Sequence, residues 1–216
     1  MASVEIWGRS SAFNVQKVLW ALGELRVEFD HREVGGRFGG LDQPDFLAMN
    51  PHGRVPVLVD RDATIWESHS ILRYLGARCR PTPLWPESPA ERSHADRWMD
   101  WALATLQPDF MRLFWGYYRT PESKRDPNLV TSAGAACDRH FRTLDAHLSQ
   151  RPFLAGDAFT LGDIPAGTSL YRYFEMGLDV PTHPHVWAWY ERLAERPAYR
   201  SAVMVSFEEL RGRLDF

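Results

Sequence analysis

The sequence predicts an α/β part followed by an all-α part, and three observations carry that reading. Residues 1–78 alternate short β-rich stretches with helical periodicity, in the order βαβ and then ββα. A proline-rich stretch from Cys79 to Pro89 breaks the pattern. Beyond it, apolar residues recur at helical spacing and no strand pattern competes. The expected organisation is a mixed sheet with helices over 1–78, a linker over 79–89 and a helical part over 90–216.

Val4-Glu5-Ile6-Trp7 alternates as a strand, and Val15, Val18, Leu19, Leu22 and Leu25 then fall on one face of a helix. Val27 to Val34 is β-rich, with Val27, Phe29 and His31 on one face, and a loop interrupted by Gly35, Gly36, Gly39 and Gly40 follows. Val55 to Val59 and Thr64 to Trp66 flank the turn-like Asp60-Arg61-Asp62, which predicts an antiparallel hairpin. A helix through Ile71, Leu72 and Leu75 closes this part.

Ser88 before Pro89 reads as an N-cap with proline at the first helical position of a long helix that Pro108 should kink. Asn128 is placed to cap the next, whose apolar stripe is Val130, Ala133, Cys137, Phe141, Leu144 and Leu148. Further helices are expected at about 162–177, 184–196 and 198–204. No internal repeat or low-complexity tract is present.

Composition narrows the function. With 25 Lys plus Arg against 28 Asp plus Glu and no basic run, charge argues against a nucleic-acid scaffold, and the expected partners are small molecules or protein. No apolar stretch approaches the ~18 residues a membrane span needs, and Glu5 and Arg9 flank too short an apolar run for a secretory signal. Cys79 and Cys137 are far apart and form no CxxC, so neither a disulfide framework nor a dithiol is indicated, and a cytoplasmic location is expected. His183-Pro184-His185 has no acidic or cysteine partner at ligand spacing, so no metal site is expected.

Two short segments invite chemistry. Arg9-Ser10-Ser11-Ala12-Phe13-Asn14 joins a strand to a helix N-terminus, where unpaired N–H groups and the positive dipole end favour anions. Ser11 there reads either as an N-cap or as a hydroxyl that donates to a bound thiolate. Glu67-Ser68, opening a later helix, taken alone reads as a helix cap.

The segments WGRSSAFNVQKVLWALGEL, NPHGRVPVLVDRD and WESHSILRYLGAR resemble, in this order, the cytosolic glutathione S-transferase family, especially its bacterial, theta-like serine members. FLAGDAFTLGDIPAG resembles that family's capping box and hydrophobic staple, with Thr160 capping, Asp163 reaching back and Phe159 placed to meet Ile164. The resemblance implies a thioredoxin-like first domain with a cis Val55-Pro56 bond, which leaves the backbone of Val55 free to pair with the cysteinyl unit of glutathione. It implies that Glu67 and Ser68 bind the γ-glutamyl end, and that Arg54, assisted by Arg37, lies near the glycyl carboxylate. Phe13 stands where the family often has proline; aligning the two puts Ser11 first as the residue facing the sulfur, then Asn14, then Ser10. The aromatic stretch from Trp98 to Tyr118 reads as core and dimer packing, and the resemblance implies that it also walls a hydrophobic co-substrate site, with Met111, Phe114, Trp115 and Tyr118 as candidates.

The implied activity is a glutathione transferase: a homodimer in which glutathione, as co-substrate, attacks a small, largely apolar electrophile, with detoxification as the broad role. Asp96 or Asp100 would reach the partner's glutathione amine. Two alternatives stand beside it. One keeps the glutathione site for disulfide or peroxide reduction, which the lack of a cysteine near the first turn disfavours. The other is a non-catalytic interaction module, against which the intact Ser11, Val55-Pro56 and Glu67-Ser68 set argues.

Overall fold

The computed structural model describes residues 3–214. β1 (Val4–Trp7) leads into α1 (Phe13–Glu24), and β2 (Phe29–Arg32) returns parallel to β1, with Val4 opposite Phe29 and Trp7 opposite Arg32. After the short α2 (Pro44–Met49), β3 (Val57–Asp60) runs antiparallel to β1 and β4 (Ala63–Trp66) antiparallel to β3. The sheet order is β2-β1-β3-β4, and α3 (Ser68–Arg78) ends the α/β part. This is the expected mixed sheet, in a thioredoxin-like arrangement.

Two details of this half differ from the sequence reading. The strand β2 begins at Phe29 rather than Val27 and lies at the sheet edge, so Phe29 is exposed while Val27, just before the strand, is buried. α2 carries a single buried anchor, Phe46, and so too little periodicity to be read from the sequence.

The proline-rich stretch is packed rather than free. Trp85 is buried against α3, where a Cβ on Gly76 would come within 2.6 Å of its ring, and Leu161 N–H donates to Leu84 C=O. The helical part begins with α4 (Pro89–Trp101), whose Ser88 cap accepts from Glu91 N–H. A π-helical turn over Ala102–Leu106 joins it to α5 (Gln107–Phe114), and a second over Trp115–Arg119 ends the run. Pro108 thus sits just past the first widened turn rather than at a simple kink: it has no N–H to give, and its ring presses on the carbonyl four residues back, inside that turn.

α6 (Pro127–Leu148) buries the predicted stripe from Ala133 to Leu148. Its cap is Asp126, which accepts from Asn128 N–H, so Asn128 is the donor rather than the cap. Pro127 favours the first helical position and moves the cap one residue back. α7 (Ile164–Glu175), α8 (Pro184–Ala194) and α9 (Pro197–Ala202) complete the fold. The Thr160 and Asp163 capping box is present, and Asp163 also accepts from Leu154 N–H at 2.8 Å, fastening the loop ahead of α7.

One helix belongs to both halves. Trp20 of α1 packs on Phe159 and Tyr199, and Arg196 forms a two-pronged pair with Glu24 at 2.7 and 2.6 Å.

Candidate active site

A cleft of about 480 Å³ opens between the first turn, the loop before β3 and the helical wall of α5 and α7. Its floor is set by backbone geometry. Gly8 has φ +144°, and a Cβ there would lie 2.4 Å from Val15 and 3.0 Å from Val55, so the first turn and the Val55-Pro56 bond approach closely only because residue 8 is glycine. Val55-Pro56 is cis. Buried Asn50 holds the loop, donating to Arg54 C=O at 2.7 Å and accepting from His52 N–H at 3.1 Å.

Ser11 is buried in this cleft, and its hydroxyl has no partner among the described residues. It is not the cap of α1: Ala12 occupies the N-cap position and no side chain caps the helix. A buried hydroxyl with no bond costs about 1–3 kcal/mol, which a bound acceptor at this helix N-terminus would recover. Asn14 also lines the cleft and accepts from Gln107 Nε2 at 3.4 Å. Ser10 turns outward and donates to Glu33 at 3.2 Å.

Arg54 and Val55 line the cleft, while Pro56 is buried beside them. Arg37 lies outside the lining and pairs at 3.6 Å with Glu209. Ser68 is the buried first residue of α3, and Glu67 at the N-cap position holds φ +68° without capping through its side chain. That left-handed backbone is unusual for a glutamate and is of the kind found at ligand clamps. Neither residue lines the cleft itself. Met111, Phe114 and Trp115 do, whereas Tyr118 is buried behind them, stacked on Phe114 at 5.2 Å. Asp96 and Asp100 both bind Arg73 of their own chain.

Two groups of charged residues escaped the sequence reading. Lys17 of α1 is fully buried, its ammonium bonded to Gln107 Oε1 and 3.2 Å from His69 Nε2. Desolvation pulls its pKa down to about 7 against the opposing charge of Glu67. Burial, with Lys17 and Arg73 nearby, lowers His69 to about 2, so it is neutral and accepts from Lys17. Arg9, Arg119 and Arg172 line the cleft as well. Only an internal position on an otherwise apolar helix face distinguishes Lys17 and Arg172 in the sequence, and that signal is weak. Both cysteines are free and buried, and burial pushes the Cys137 thiol up to about 12.

Comparison with known proteins identifies the architecture. Residues 13–78 match the glutathione S-transferase N-terminal domain and residues 95–197 the glutathione S-transferase C-terminal domain. Glutathione S-transferase GstB of Escherichia coli is 41% identical over 204 residues, spanning 94% of this chain and 98% of that one. The chain belongs to the glutathione S-transferase family. Among plant members of the family, glutathione S-transferase 3 of Zea mays is 33% identical, spanning 94% of each chain. The theta class glutathione S-transferase of Xanthomonas axonopodis pv. citri, solved with glutathione bound, superposes with a TM-score of 0.91 at 46% identity, covering 95% of this chain and 99% of that one.

Proposed function

We propose that this glutathione S-transferase holds the glutathione sulfur at Ser11 and directs it as a thiolate onto a small electrophile seated against Met111, Phe114 and Trp115. The observation that carries this reading is the buried, unbonded Ser11 hydroxyl at the start of α1, in the same cleft as Val55 of the cis bond. An unperturbed thiol of pKa ~8.5 is only ~3% ionised at pH 7, whereas a pKa near ~6.5 makes it ~75% ionised, for ~2.7 kcal/mol of differential stabilisation. One hydroxyl donor at about 1.5–3 kcal/mol and a helix end at about 0.3–1 kcal/mol supply that amount. Serine stays protonated throughout: it stabilises charge, and the nucleophile belongs to glutathione.

In this reading Val55 pairs with the cysteinyl backbone, Glu67 and Ser68 take the γ-glutamyl end, and Arg54 faces the glycyl carboxylate. Asn14, held by Gln107, supports the sulfur from the first turn of α1. Ser10 has no part in it, because its hydroxyl is committed to Glu33. Residues 1–78 then form the glutathione-binding domain and 90–216 the co-substrate domain, joined by 79–89. The active species is a cytoplasmic homodimer. The location is supported by two free thiols and by the absence, among the described residues, of a helix long and apolar enough to cross a membrane.

Calorimetric titration with glutathione, beside conjugation of a halo-nitroarene and reduction of a glutathione mixed disulfide, tests the reading. Glutathione binding with conjugation dominant is expected. Binding without either activity would indicate a non-catalytic module, and dominant disulfide reduction would replace the transferase assignment.

A further inference from the structure

The wall of the cleft opposite Val55 is more cationic than an apolar electrophile needs. Arg172 of α7 is fully buried, yet its Nη2 donates only to neutral acceptors, Ser11 C=O at 2.7 Å and Gln16 Oε1 at 3.0 Å. Its Nε is buried with no partner among the described residues. The guanidinium carbon lies 5.7, 5.2 and 5.7 Å from the ring centres of Phe13, Phe114 and Phe207, so the charge is desolvated as well. Arg9 and Arg119 line the same cleft, and Arg119 is buried with its guanidinium 3.6 Å from the centre of the Trp115 ring.

These three cations act on one another. Burial lowers Arg172 to about 9, and repulsion from Arg9 and Arg119 adds to the effect; Tyr118 and Glu209 oppose it, and Glu209 also acts on Arg9 and is the partner of exposed Arg37. Arg172 is nevertheless charged at neutral pH. A buried cation bonded only to neutral groups is costly unless an anion completes it. The place left for that anion is the cleft, beside the first turn where the reaction would occur.

We propose that the second substrate of this enzyme carries a carboxylate, held by Arg9, Arg119 and Arg172, a few bonds from the carbon that the sulfur attacks. The inference rests on the transferase reading above and deepens it: the aromatic wall takes the body of the electrophile and the arginines take its charge. Planar guanidinium groups stacked on rings present their donors in a fixed plane, which suits a carboxylate better than a neutral polar group.

A matched pair of aryl chlorides tests this on the unmodified protein: 4-chloro-3-nitrobenzoate and 4-chloro-3-nitrobenzamide. In both, the thiolate forms a C–S bond at the chlorinated carbon, chloride leaves with the C–Cl electron pair, and the thiol proton passes to solvent. Each kcat/KM is divided by the uncatalysed rate constant with free glutathione, which removes the difference in intrinsic reactivity between the two rings. The normalised value for the benzoate should exceed that for the benzamide by at least about ten-fold. Arg9→Gln and Arg119→Gln should each shrink that ratio several-fold, a readout in which any general loss of active protein cancels. Equal use of the two substrates, or a ratio untouched by both substitutions, overturns the inference while leaving the transferase intact. A raised glutathione Kd in the variants with an unchanged ratio also overturns it, assigning the arginines to a carboxylate of glutathione. Turnover of neither substrate sinks the transferase reading and this inference with it.

Discussion

Replacing Lys17 by Met removes a buried ammonium while keeping an unbranched side chain of similar length, and the effect should depend on pH in a defined way. In the folded protein desolvation holds Lys17 at about 7, against 10.5 for the free side chain. Between those values the unfolded chain binds more protons than the folded one, so the contribution of Lys17 to stability rises with pH across that window and is flat below it. Integrating the linkage from pH 7 to pH 9 gives a gain of about 2 kcal/mol for the native protein relative to Lys17→Met, close to the limiting slope of about 1.4 kcal/mol per pH unit. His69 stays neutral over this range, and groups common to both proteins cancel in the difference. Urea unfolding followed by tryptophan fluorescence at pH 6, 7, 8 and 9 reads that difference directly. The native protein should gain on the variant from pH 7 upward and show no relative change between pH 6 and lower values. Parallel curves for the two proteins from pH 7 to 9 would refute the placement of a desolvated ammonium between His69 and Gln107.

Ser11→Ala should lower the conjugation rate at pH 6.5 by roughly ten- to a hundred-fold while glutathione affinity stays within a few-fold; a normal rate, with Asn14→Ala crippled instead, would move the thiolate contact to Asn14. Ser68→Ala should act mainly on binding, raising the glutathione dissociation constant about five- to a hundred-fold by calorimetry, and unchanged affinity would leave Ser68 as a helix-start residue only. Gly162→Ala pushes a methyl group to 2.8 Å from Ala95 Cα on α4, so thermal unfolding should fall by several degrees, about 1–3 kcal/mol; a loss below about 1 °C would mean that the two backbones part without cost. Sedimentation at micromolar concentration should give about twice the 24.9 kDa chain mass, and Asp96→Asn with Asp100→Asn should weaken glutathione binding; a fully active monomer would remove the dimer and the shared acid together.

The elements that were legible from the chain are those in which local pattern and tertiary environment agree. The Val4–Trp7 alternation, the Ser88-Pro89 start and the Thr160-to-Asp163 box each specify their own geometry, and each appears in the fold. The exposure of Phe29 was not legible, because membership of a strand says nothing about whether that strand lies at a sheet edge. Asp126 displaced Asn128 as a cap because the adjacent proline decides the first helical position. At the site, Ser11, Asn14, Arg54 and Val55 sit on segments whose order in the sequence is itself informative, and the fold brings all four to one cleft. Lys17, Gln107, Arg119 and Arg172 sit on three helices and the turn after one of them, and only packing brings them to the same place. Their burial runs against the usual exposure of charged side chains, so the composition of each helix points the wrong way.

The position of α1 between the two halves bears on how the protein comes apart. Its N-terminus presents Ser11, its middle carries Lys17 against α3 and α5, and its far end is tied by Trp20 and Glu24 to Phe159, Tyr199 and Arg196. Arg172 adds a clasp from α7 to the carbonyl of Ser11 itself. Separating the helical half would expose a fully buried tryptophan and the fully buried Lys17, together with the partners of both. The sheet half would therefore lose, on separation, the Gln107 partner of Lys17 and the Arg172 donor that holds the Ser11 carbonyl.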